Sequence, residues 1–387
     1  MKEYALSKQN ARFIYVTTPP LLVLFIGVWC LPFLKSDTSW LLFFLLTPVL
    51  LPVMAYLIIR MLDAKKGKFV IDGDKVYTTS VLGTRQLSLN EIKGYWRVKN
   101  HLLLEPLSPQ KKRIKISTRL ERSKEIVEWA ASRYPNMTSV VLEEEQNSIL
   151  NDETLGNTLD ERKQKWERAK TFAKVFNGIS IAVALWALVW PTPYEFALWC
   201  SFLLVLGAIA ATKCNKLLRI AGGRSSAYPS VIWAFFAPCS ALGIRGLFDY
   251  NLYSYAPVWI PVLGFTVFLL AILLIKSKDL TFKKPTDFWI ALALCIFLLE
   301  YSYGALVFFN CRYDISAPEI FSAQVLDKHV SKGKTTRHSL LLSPWATRTV
   351  PENVTVSKPL YDLLAEQDSV TLVLHKGKFG IPWYEVQ

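Results

Sequence analysis

The segment CIFLLEYSYGALVFFNC, residues 295–311, sets one carboxylate, Glu300, near the middle of an apolar run. An ionised carboxylate in hydrocarbon costs on the order of 2.5–3.5 kcal/mol on insertion scales. Such a group must be neutralised, paired or wetted. The sequence offers one cation for the purpose: Arg245, in ALGIRGLFDY, about a turn from the end of its own apolar run. A guanidinium reaching inward predicts an intramembrane polar pair, Glu300 with Arg245, with hydroxyls from Tyr301, Ser302 and Tyr303 beside it. The pair would fasten two helices together or line a pocket that binds a substrate or relays protons. A third arrangement leaves Glu300 neutral and turns Arg245 outward along its aliphatic stem.

Two basic clusters are the other candidates. Lys65, Lys66 and Lys68 follow the second apolar run, and Lys111, Lys112, Arg113 and Lys115 form KKRIK. Basic residues beside an anionic leaflet contribute about 1 kcal/mol each; the alternative for KKRIK is a strand edge guarded by lysines. His329, His338 and His375 are irregularly spaced and predict no metal site. Nucleotide-binding, hydrolase and zinc-protease motifs are absent from the sequence, so the expectation is a chain without enzymatic activity or cofactor. The cysteines lack metal spacing, and a disulfide among Cys30, Cys200 and Cys311 stays open beside their use as small buried hydrophobes.

The elements that must position these groups follow from patterning. Of 387 residues 52% are hydrophobic, and mean hydropathy is +0.25. The apolar residues gather at 13–34, 39–62, 173–191, 195–212, 228–248, 257–275 and 287–309. Each block is long enough to cross a roughly 30 Å hydrocarbon layer as a helix. The block at 228–248, interrupted by Pro229, Pro238 and Arg245, is the weakest, and a re-entrant segment is its alternative. The net charge of +14 is concentrated in alternate connections, with Lys8 and Arg12 before the first block, Arg60 to Lys68 after the second, and Lys213 to Arg224 after the fourth. This bias predicts a cytoplasmic N-terminus and an extracytoplasmic C-terminus, and it argues against nucleic acid as the partner.

Residues 63–136 read as short strands broken by turn signals at Asp72-Gly73-Asp74, Leu82-Gly83 and Lys99-Asn100, followed by one amphipathic helix that Pro135 stops. Thr118 and Glu121 have the spacing of a capping box for that helix, and Thr158 with Glu161 repeat it. Residues 137–172 read as a flexible linker and a helix entering the third block, with Trp166 at the interface. Residues 312–387 read as a small β-rich domain, with hairpins at Ser331–Lys334 and Lys376–Lys378.

The opening hairpin FVIDGDKVY, the strand entry LSLNEIKGYW and the helix EIVEWAASRY together resemble the bacterial pleckstrin-homology-like (PH-like) domains of multi-pass membrane proteins. The resemblance covers roughly 65–135 and implies a binding platform. Lys65, Lys66, Lys68, Lys75 and Arg85 lie near the first hairpin, but not at the spacing of the family's phosphoinositide-binding members. The expected architecture is a transmembrane hairpin (1–62), a cytoplasmic PH-like barrel or sandwich (63–136), a polar linker (137–172), a five-helix bundle (173–311) and an extracytoplasmic β-rich domain (312–387). The expected protein is a non-enzymatic, multi-pass inner-membrane platform for anionic lipid headgroups or a protein partner. The alternative is a transporter or lipid-handling protein with its pocket at Glu300 and Arg245.

Overall fold

The computed structural model describes residues 1–34, 40–222, 226–275, 280, 282, 285–332 and 336–387. The chain forms two units, 1–148 and 149–387.

The first unit begins with a strand rather than a helix. β1 (Lys2–Ala5) precedes two long helices, α1 (Lys8–Leu34) and α2 (Trp40–Lys66), and the chain then returns as β2 (Lys68–Asp72). β1 and β2 pair antiparallel from Lys2 opposite Ile71 to Ala5 opposite Lys68. β3 (Lys75–Ser80) and β4 (Gly83–Ser88) complete a four-stranded sheet in sequential order. β5 (Ile92–Val98), β6 (His101–Pro106) and β7 (Ile114–Ser117) form a second, three-stranded sheet. α3 (Ser123–Arg133) follows. Period-two alternation directs Leu102 and Leu104 of β6 and Ile114 and Ile116 of β7 inward. They share a core with Phe69, Val76, Leu87 and Ile126. Each fully buried aliphatic side chain in such a core stabilises by about 1.5–3 kcal/mol.

Three expectations for this region are corrected. The sheet draws a strand from residues 2–5, so a domain of 63–136 is too short at its front. Tyr4 explains the recruitment: it is buried and stacks on Phe69 at 6.1 Å. Thr118 does not cap α3. The chain at 118–121 is held by β1 and the β5–β6 turn instead, through Glu121 N–H to the Ala5 carbonyl (2.8 Å) and Thr118 N–H to the Asn100 carbonyl (2.9 Å). The start of the polar linker is a helix, α4 (Met137–Leu150), with Met137 and Ile149 buried.

In the second unit α5 (Leu159–Val189) runs unbroken for 31 residues, about 46 Å. Thr158 caps it, its hydroxyl accepting from Glu161 N–H at 3.2 Å. Trp166 is buried, and its indole N–H donates to the Ala227 carbonyl, in the connection between the two helices that follow, at 2.9 Å. α6 (Tyr194–Cys214), α7 (Ile232–Phe248), α8 (Trp259–Leu274) and α9 (Pro285–Arg312) follow, with the two-residue strand β8 (Asn251–Leu252) between α7 and α8. β9 (Glu319–Lys332), β10 (Thr336–Leu342), β11 (Glu352–Val356), α10 (Lys358–Leu363), β12 (Ser369–His375) and β13 (Trp383–Val386) form the tail. Its sheet has the order β11-β10-β9-β12-β13-β8, so a loop of the helical region supplies an edge strand. The expected β9–β10 turn lies outside the described residues.

Each apolar block holds a helix, although that of the 228–248 block begins only at Ile232. Five helices are long and apolar enough to cross a membrane, at Lys8–Trp29, Leu159–Val189, Tyr194–Cys214, Ala256–Leu274 and Asp287–Arg312. The protein is therefore a mixed helix–sheet chain with five candidate membrane-spanning helices among the described residues. Val16, Val23, Ile260 and Val267 lie uncovered on these helices, a surface suited to lipid and costly in water. α7, at 17 residues, is shorter, about 25 Å.

α7 is nevertheless the hub of its unit, packing against α5, α6 and α9. Glycine permits the closest approach. A Cβ on Gly304 of α9 would lie 2.2 Å from the Leu242 carbonyl oxygen of α7, and one on Gly246 would lie 2.8 Å from the Gly304 Cα. Backbone atoms cannot swing aside as a flexible side chain can. Gly304→Ala is therefore expected to lower stability by about 1–3 kcal/mol, the range for overpacking. Gly264→Ala, where a Cβ meets nothing within 4 Å, should leave stability unchanged or slightly raised. Tryptophan-fluorescence melting of the two variants in detergent makes the comparison.

Candidate functional site

The predicted polar pair is not formed. Arg245 turns to the end of α5: its Nε donates to the Ala187 carbonyl at 2.7 Å and its Nη2 to the Leu188 carbonyl at 2.9 Å. The last carbonyls of a helix lack partners within it, and a cation there meets the negative end of the dipole. Arg245 also pairs with Asp249, one turn on, at 3.1 Å. Asp249 in turn accepts from the Tyr194 hydroxyl at 2.8 Å. The i, i+4 spacing of Arg245 and Asp249 was the sequence signal that pointed away from Glu300. Glu300 lies against α7, where its Oε2 accepts from the Ser240 hydroxyl at 3.2 Å and its Cβ faces Gly243.

Cys200, Cys239 and Cys311 are free thiols, which excludes a Cys200–Cys311 disulfide; the Cys30 side chain lies outside the described residues. The histidines do not converge. His338 packs on Tyr361 and His375 stacks on Trp383 at 4.4 Å.

The basic clusters behave differently from one another. Within KKRIK, Lys111 pairs with Glu91 at 2.6 Å and holds that carboxyl below its usual range. Arg113 forks onto Glu105, with Nη2 at 2.9 Å from Oε1. Lys112 and Lys115 line a cleft instead. Lys65 and Lys66 end α2, where cations complement the helix dipole, and neither lines the cleft. Lys68 does line it, and pairs with Glu3 of the neighbouring strand β1.

The cleft, about 790 Å³, opens where α1 and α2 meet the two sheets of the first unit. Its floor and apolar wall include Ile14 of α1, Tyr56 and Ile59 of α2, and Phe69 and Ile116 of the sheets. Its polar wall carries Arg60, Lys68, Arg85, Lys112, Lys115 and Arg119 against one acid, Asp63. Asp63 is already engaged: its Oδ1 accepts from Val81 N–H at 2.7 Å and its Oδ2 from the Ser80 hydroxyl at 3.2 Å. This fastens the end of α2 to the β3–β4 turn. His101 also lines the cleft, and burial, with help from Lys115 and Arg119, pushes its pKa below the usual histidine value. The cleft collects residues from five separate stretches, of which the two basic clusters of the sequence supply only Lys68, Lys112 and Lys115 among its cations.

Comparison with protein-family models, curated proteins and solved structures finds no match.

A double-mutant cycle checks where Arg245 acts. Arg245→Gln with Asp249→Asn should show a coupling near 1 kcal/mol, whereas Arg245→Gln with Glu300→Gln should couple by less than about 0.5 kcal/mol. Thermal or denaturant unfolding reads both.

Proposed function

We propose that the protein is a non-enzymatic platform in the cytoplasmic membrane. Its first unit would carry a PH-like domain that holds lipid headgroups or a protein partner at the inner face, and its tail would be an extracytoplasmic contact or sensing module. The observation that carries this reading is the cation-lined cleft at the root of the α1–α2 hairpin. The strand order supports the PH-like part: four sequential antiparallel strands, then three, then a helix. The charge bias of the connections supports the orientation. The transporter alternative ranks second because Arg245, committed to α5 and Asp249, is withdrawn from any pocket around Glu300.

The reading is tested by cross-linking in cells followed by purification. The full chain is compared with one in which residues 68–134 are replaced by a glycine–serine linker. Loss of the cross-linked lipid or protein partners, with the helical region still inserted, is the expected outcome. An identical partner set from both chains counts against the platform.

A further inference from the structure

Among the described residues, Arg60, Lys112, Lys115 and Arg119 of the cleft have no ion-pair partner, although Lys111, Arg113 and Lys68 around them do. Like charges gathered in one concavity repel one another, and an anion relieves that repulsion. Burial does most to keep the proton off His101, and Lys115 and Arg119 add to it, as cations gathered around one cleft would. Two of the four cations are arginines, whose planar forks suit a phosphate. The remaining wall is unlike that of a site for a free anion. Ile14, Tyr56 and Ile59 belong to the helices of the hairpin, whose outer residues, such as Phe13, Val16 and Leu51, are exposed and apolar. The cleft thus joins a cationic pole to an apolar one along helices suited to the bilayer. Its volume exceeds what one phosphate needs and falls in the range of small-molecule sites.

We propose that the cleft seats one anionic glycerophospholipid, its phosphodiester among Arg60, Lys112, Lys115 and Arg119 and its acyl chains along Ile14, Tyr56 and Ile59. This rests on the platform reading and names the ligand of that platform. A zwitterionic lipid brings its own cation into the same field and should bind less well. Binding should weaken as salt rises, because Lys112, Lys115 and Arg119 are exposed and Arg60 is half-buried.

Native mass spectrometry of the full-length protein in detergent tests the assignment. The probes are dioleoyl phosphatidylglycerol, dioleoyl phosphatidylcholine and inorganic phosphate. The expected result is one retained phosphatidylglycerol, favoured about tenfold or more over phosphatidylcholine and not displaced by millimolar phosphate. The variant Lys112→Gln/Lys115→Gln/Arg119→Gln should lose that preference. Lys93→Gln/Arg97→Gln/Lys124→Gln, which removes three exposed cations of the same unit away from the cleft, should keep it. Lys112→Glu alone should lower retention several-fold, which keeps the test decisive should the triple variant fail to fold. Equal retention of the two lipids, equal loss in both triple variants, or displacement by phosphate would each overturn the assignment. The cell cross-linking comparison reports on the platform separately, because a protein partner lost with residues 68–134 would survive an empty lipid cleft.

Discussion

Four paired residues at the N-terminus constrain everything in the first unit. Because β1 lies beside β2, the chain leaves the sheet as α1 and comes back to the neighbouring strand as α2. Two helices of 27 residues, each about 40 Å long, are thus rooted at one sheet edge. The pairing is reinforced by Tyr4 on Phe69, by the Glu3–Lys68 ion pair and by Arg122 over the Tyr4 ring at 5.3 Å. Asp63 adds a second tether from α2 to the β3–β4 turn. The cleft exists because helices and sheets meet at this root. Without β1, Leu6 and Ile14 would have no fixed place in its wall.

The second unit shows how one short helix organises longer ones. α7 carries features that weaken it as a membrane crossing: Pro238, two glycines and Arg245. The same features serve packing. Gly243 and Gly246 admit α9 at backbone distance, and Arg245 closes the end of α5. The tail is anchored through buried polar groups as well as apolar ones. Asn310, fully buried near the end of α9, donates to the Ile381 carbonyl at 2.8 Å and accepts from Phe379 N–H at 2.9 Å. A buried amide that loses such partners leaves them unsatisfied, at about 1–3 kcal/mol each. The connection between β12 and β13 is therefore specified by a helix residue remote in sequence.

Much of the secondary structure was legible because it rests on local pattern. Every apolar block holds a helix, the turns at Gly73 and Gly83 carry positive φ as their sequence context predicts, and Thr158 caps α5. What was illegible depends on distant partners. KEYA is too short to announce a strand and becomes one only against β2. Thr118 and Glu121 have capping-box spacing, but their backbone amides are claimed by Asn100 and Ala5. The buried partner of the Trp166 indole, the Ala227 carbonyl, lies 61 residues away and left no trace in the local pattern. The Glu300–Arg245 pair failed for a similar reason: two free carbonyls at a helix end, and an aspartate one turn away, outcompeted a carboxylate on another helix. The cleft was half visible. KKRIK advertised positive charge, yet the sequence alone does not separate Lys112 and Lys115, which face the cleft, from Lys111 and Arg113, which are neutralised by Glu91 and Glu105.

The proposed lipid seat requires the hairpin root to hold the cleft at the level of the lipid headgroups. The most direct measurement places a fluorophore at Thr84→Cys, on the cleft wall, with the exposed Cys214 replaced by serine. The full-length protein is reconstituted in bilayers that contain a lipid bearing a nitroxide on its headgroup. Strong quenching by the lipid-borne nitroxide is the expected result. Quenching by a water-soluble nitroxide alone, with none from the lipid, would contradict it.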